Sequence, residues 1–153
     1  MPDKIADIEI VIAVIESGHS VELPATGYSM FPALKPGYKV TVVPFDEKKA
    51  VAGNVVICKS DSLVMHRLIK ITTDDSGKTI FTTRGDCRKE NDFPWPAGSI
   101  VGVAATYKTN GKVYPVKSFL PGKLYYVANF WLLWIVLKLK KWLRGTGYAP
   151  MPL

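Results

Sequence analysis

Residues 54–71 read Asn54-Val55-Val56-Ile57-Cys58-Lys59-Ser60-Asp61-Ser62-Leu63-Val64-Met65-His66-Arg67-Leu68-Ile69-Lys70-Ile71. Two short apolar runs, 54–59 and 63–71, show no 3.6-residue spacing, which reads as strand rather than helix. The pattern continues on both sides, with candidate strands at 39–43, 79–83 and 100–107 and a further one near 112–116. Breaks fall at Lys35-Pro36-Gly37, Ala52-Gly53-Asn54, Asp74-Asp75-Ser76-Gly77, Pro94-Trp95-Pro96 and Asn110-Gly111, all residue types that punctuate strands. The expectation is a mainly β chain, an antiparallel sheet, sandwich or barrel, flanked by terminal helices.

The boundaries follow from composition: an N-terminal helix at 1–19, a β body at 20–119, and an apolar, basic-ended C-terminal helix and tail at 120–153. Leu120-Pro121-Gly122 marks the second boundary. At 153 residues the chain has room for one core and no second full domain. Ile5, Ile8, Ile12 and Ile15 share one helical face, with Asp7, Glu9 and Glu16 mostly off it, and Gly18 ends the run. Alternation at Ile8, Ile10, Ile12 and Val14 leaves a strand as the alternative. The acids scattered through this stretch exclude an export signal. His19, just beyond, reads as a surface cap.

From Leu124 to Leu137 the chain carries no charge, and Asn129 is its one clearly polar residue. A helix apolar all round belongs in a core or a membrane. Fourteen residues rise only about 21 Å, and extension from Lys123 to Leu143 brings about 30 Å, enough for a short span or a deeply embedded helix. The alternative is a terminal helix packed on the body or at a homodimer contact. Residues 1–119 hold 15 basic and 13 acidic side chains, whereas the last 34 residues hold five basic and none acidic. The net +7 is thus mostly a property of the tail, where it follows the apolar run and suits an anionic membrane. The nearly neutral body, without interleaved basic and aromatic residues, speaks against nucleic acid. Cys58 and Cys87 allow at most one disulfide and show no zinc spacing; free thiols in a reducing compartment are expected.

Three places carry residues capable of chemistry. Thr26-Gly27-Tyr28-Ser29-Met30-Phe31-Pro32 puts Ser29 in a short loop, and a serine needs a neighbouring base to act as a nucleophile. His66 could be that base, since an imidazole can take a serine proton and return it to a leaving amine. Thr83-Arg84-Gly85-Asp86-Cys87-Arg88-Lys89-Glu90-Asn91-Asp92 follows a candidate strand, and either Asp86 or Asp92 could orient His66. Each has a bland reading as well: a turn serine, a core histidine, an acidic turn that caps backbone amides.

Taken together, Gly-Tyr-Ser-Met-Phe-Pro, then Gly-Asn-Val-Val-Ile, then His-Arg-Leu-Ile, then Arg-Gly-Asp with a second Asp six residues on, resemble the signal peptidase I clan of serine endopeptidases. The resemblance covers about residues 20–107. Bacterial housekeeping members use a lysine base; the archaeal and endoplasmic-reticulum type uses histidine, and His66 stands at that position here, followed by the clan's arginine as Arg67. The resemblance implies a β catalytic domain with Ser29 as nucleophile, His66 as base and Asp86 and Asp92 as the two aspartates. It implies no metal or cofactor, and a peptide or precursor-protein substrate that docks as an added strand and is cut after small residues.

There are departures. Tyr38 and Asn54 stand where the clan usually has aspartate, Gly27 supplies no hydroxyl to an oxyanion hole, and Cys87 replaces a residue often Asn. Oxyanion stabilisation then falls mainly on backbone N–H groups, notably that of Ser29. No apolar segment before Ser29 resembles the clan's N-terminal anchor, which points to the small members of the clan, some of which are thought to process leader peptides. The expected function is therefore cleavage of signal or leader peptides at the cytoplasmic membrane, with the C-terminal helix meeting lipid. The alternatives are a non-catalytic peptide-binding member of the clan and a self-cleaving regulator.

Overall fold

In the computed structural model, which describes residues 3–145, the strand β3 (Val55–Lys59) is the centre of the body. Its side chains alternate between two cores, as the period of a strand requires. Val55 and Ile57 join Ile15, Leu34, Val40 and Val101 on one face. Val56 and Cys58 join Leu68, Phe81 and Ile100 on the other. Burial on both sides is why this run is continuously apolar.

Around β3 lie β1 (Val21–Pro24), β2 (Lys39–Pro44), β4 (Leu63–Thr73), β5 (Thr79–Arg84), β6 (Trp95–Pro96), β7 (Ile100–Thr109) and β8 (Lys112–Pro115). They form one antiparallel sheet of order β1-β2-β7-β3-β4-β5-β6, with β8 on β7, curled into a half-barrel. Two strands were not expected from the sequence: β1, only four residues long, and β6, two residues within a stretch that reads as a break. The β7–β8 turn is Asn110-Gly111 with φ of 49° and 74°, both positive, as the tight hairpin of an Asn-Gly pair demands.

The N-terminal segment is a helix, α1 (Asp3–Glu16), rather than a strand. Ile15 is fully buried, Ile8 and Ile12 are half-buried, and Glu9 and Glu16 face solvent; the side chain of Ile5 lies outside the described residues. The helix stops where the Gly18 N–H donates to the Ile15 carbonyl and the His19 N–H to that of Val14. His19 is exposed.

The second helix, α2 (Lys123–Gly145), departs from the expectation of a span. No helix among the described residues is long and apolar enough to cross a membrane. The reason is the charge at its ends: Lys123 opens it and Lys138, Lys140, Lys141 and Arg144 occupy its last two turns. Nor is it enclosed in a core. Tyr126 and Asn129 are buried and Phe130, Leu133 and Val136 half-buried against the body, while Leu124, Trp131, Ile135 and Leu139 on other faces are exposed. Residues 146–153 of the expected tail lie outside the described residues.

Candidate active site

Ser29 begins a single helical turn in which the Phe31 N–H donates to Tyr28 and the Leu34 N–H to Met30. Met30 and Leu34 belong to the core, so the apolar residues flanking the serine in sequence fix its loop to the body. The Cys87 N–H donates to the Ser29 carbonyl at 2.8 Å, which joins the serine loop to the loop after β5. Ser29 itself is half-buried and lines a cleft of about 1190 Å³ together with His66 and Asp92.

His66 comes from β4, opposite Val56 of β3 in the sheet register, and is 5% exposed. Its Nδ1 lies 2.5 Å from Asp92 Oδ2. Asp92 Oδ2 also accepts from the Thr83 hydroxyl at 2.6 Å, and Thr83 Oγ1 in turn accepts from the Trp95 indole N–H at 2.8 Å. Burial pushes the Asp92 carboxyl upward, but the bonds from His66 and Thr83 and the nearby cationic groups outweigh it and hold it below its ordinary value of 3.8. An ionised carboxylate only accepts, so Nδ1 carries the ring proton toward Asp92 and Nε2 is left as the basic nitrogen.

Gly85 shows how close the serine loop and the imidazole lie. A Cβ built on it would stand 2.8 Å from the Ser29 carbonyl oxygen and 3.1 Å from His66 Nε2. Only a residue without a side chain lets the three segments meet. Neither the hydroxyl nor the N–H of Ser29 makes a hydrogen bond within the protein among the described residues. In a site without substrate the nucleophile–base bond is often long and tightens on binding.

Asp86, the other candidate partner of His66, is elsewhere. It is fully buried and takes Arg67 in a two-pronged ion pair, Nε to Oδ1 at 2.8 Å and Nη2 to Oδ2 at 2.7 Å. Arg67 Nη1 donates to the carbonyls of Gly53 and Lys117, and its guanidinium lies 4.3 Å from the Phe119 ring centre. Arg67, the residue after His66, thus fastens the acid loop to the segment leading into α2, and Asp86 answers to Arg67 rather than to His66.

Other residues fall as follows. Tyr38 stacks on Tyr107 with ring centres 5.0 Å apart. Asn54 Oδ1 accepts from the Val51 N–H, and its Nδ2 donates to Ser118. Cys58 and Cys87 are free and buried, and burial pushes their thiols up to about 12 and about 11, so both stay protonated. The Cys87 thiol donates to the Phe31 carbonyl at 3.0 Å. Gly27 has open space where a side chain would stand.

Two contributors to the site, Thr83 and Trp95, were not singled out in the sequence. Thr83 is two residues after the core residue Phe81 on β5 and therefore on the same face, where a polar side chain needs a partner. Trp95 was hidden by its flanking prolines. No family model matches the chain, and no curated protein matches it either.

Proposed function

We propose that this protein is a serine endopeptidase of the signal peptidase I type with a histidine base. In this reading Ser29 Oγ attacks the carbonyl carbon of the scissile peptide while His66 Nε2 takes its proton. Asp92 holds the imidazole in the right tautomer and stabilises the imidazolium. The tetrahedral oxyanion receives the Ser29 N–H, and loss of one such donor typically costs on the order of 10²-fold in rate. His66 then gives its proton to the leaving amine, and water releases the acyl group by the reverse proton path.

The observation that carries this reading is the 2.5 Å contact of His66 with Asp92 in the cleft that Ser29 also lines. For the substrate, β1 is the end strand of the sheet and Leu23 and Ala25 line the same cleft, which suits an extended peptide added as a strand with small side chains before the cut. We further assign α2 to the surface of an anionic membrane, lying in its plane. The exposed Leu124, Val127, Trp131, Ile135 and Leu139 supply the apolar face, and the lysines of the last two turns supply charge for acidic headgroups. Such a surface would hold the enzyme beside signal or leader peptides.

The test is a peptide containing Ala-Gln-Ala, incubated with the protein and read by mass spectrometry. Cleavage after the second Ala is expected from the wild type, and Ser29→Ala and His66→Ala should each abolish it. Unchanged cleavage by either variant would remove the mechanism.

A further inference from the structure

A second groove, of about 740 Å³, opens on the other side of Ser29, and its wall is α2. Ser29, Arg88, Asn91 and Asp92 line both this groove and the first cleft, so the two adjoin at Ser29. From α2 the groove receives Phe130, Leu133, Trp134 and Leu137. These occupy a stripe between the residues that α2 buries on the body and those it exposes on its far side, as the 100° step of a helix places them.

The groove is built into the fold. The Asn129 amide donates to the Asp86 carbonyl at 3.3 Å and the Cys87 sulfur lies 3.3 Å from the Asn129 carbonyl oxygen, tying α2 to the acid loop. Three turns further on, Lys140 Nζ lies 3.2 Å from the hydroxyl of Tyr28, the residue before the nucleophile. Across the groove, the Lys89 ammonium lies 4.4 Å from the Phe130 ring centre. One helix therefore meets both loops that form the reacting centre, and its apolar side chains Trp134 and Leu137 stay open to the groove, 44% and 41% exposed.

We infer that this groove binds the part of the substrate that follows the cut, and selects a large apolar side chain there. The inference rests on the proposed peptidase reading, in which the small residues before the cut lie in the cleft beside β1. A peptide running across Ser29 from that cleft meets the second groove next, because Ser29 lines both. Its wall of Phe130, Leu133, Trp134 and Leu137 offers an aliphatic or aromatic side chain the contacts that Gly or Ser cannot use. One additional methylene in such a pocket already discriminates by about tenfold or more.

The test compares two peptides that share Ala-Gln-Ala and differ only in the residues that follow, Phe-Leu in one and Gly-Ser in the other. Binding to Ser29→Ala protein, followed by fluorescence anisotropy, measures the groove without turnover, and cleavage by the wild type is measured in parallel. The Phe-Leu peptide should bind at least tenfold more tightly, and the ratio should fall to about one in proteins that also carry Trp134→Ala or Leu137→Ala. Both side chains are partly exposed, and a circular dichroism melt of each variant verifies that the fold is kept. Equal binding of the two peptides, or a ratio that the α2 substitutions leave unchanged, would overturn the inference. Selective binding without any cleavage by the wild type would instead remove the peptidase reading and leave the groove standing as a peptide site.

Discussion

Asp86 and Asp92 leave the same loop and end in different surroundings. At its start, Asp86 is shut off from solvent and both its oxygens meet Arg67. At its end, Asp92 keeps 22% of its side chain exposed and presents Oδ2 to His66 and Thr83. A fully buried and fully satisfied ion pair is a fixture whose removal leaves an uncompensated charge. A carboxylate at the edge of a cleft, bonded to an imidazole, can stabilise a charge that arrives and leaves during a reaction. Burial thus divides two acids six residues apart into one that holds the loop and one that meets the His66 imidazole at the cleft.

The largest effect should come from breaking the first of these. Asp86→Ala leaves the Arg67 guanidinium buried without its partner and should cost about 3–5 kcal/mol, which for a chain of this size lowers the melting temperature by about 6–20 °C. Thermal unfolding by circular dichroism measures it, and a shift of only a degree or two would mean that Arg67 finds another partner. The exposed face of α2 should show the opposite behaviour. Trp131→Ser combined with Ile135→Ser should change stability by only about 0.5 kcal/mol, yet abolish co-sedimentation with vesicles containing phosphatidylglycerol. Retained vesicle binding would count against the membrane surface. Substitutions are preferable to deletion of the helix, because deletion would also strip Tyr126 and Asn129 from the acid loop.

The smallest effect concerns pH. The Asp92 carboxyl is held below its ordinary value of 3.8 in the folded protein, chiefly by bonds from His66 and Thr83 that overcome burial. Its contribution to stability is therefore complete above that value and is lost as pH falls through the lower folded value. Denaturant titrations below about pH 4 should show wild type losing stability more steeply than Asp92→Asn. Parallel curves would show that Asp92 carries no such linkage.

The sheet was legible because alternation is a local property: Val55 and Ile57 face one core and Val56 and Cys58 the other, and the sequence writes this as an unbroken apolar run. β1 and β6 were not, since four residues and two residues are too short for a period to emerge and both contain proline. In the site, Ser29 and His66 were marked by their motifs, and the cleft holds both. Which aspartate meets His66 was not legible, because a six-residue separation within one loop says nothing about which oxygen ends up beside Nδ1. The same limit applied to α2. Its apolar run fits a core or a membrane equally well in sequence, and only the position of Asn129 and Tyr126 against the acid loop divides its circumference into a docked stripe, a groove and an exposed face.

The division of labour between the two aspartates is tested most directly by the rate at which Asp92→Asn protein cleaves the Ala-Gln-Ala peptide, measured against wild type at neutral pH with the melting temperatures alongside. The amide keeps the size of the side chain and removes its charge, so the cleavage rate should fall by about 10⁴-fold while stability changes by roughly 1 kcal/mol. Cleavage by Asp92→Asn at the wild-type rate would contradict the assignment of Asp92 to the base.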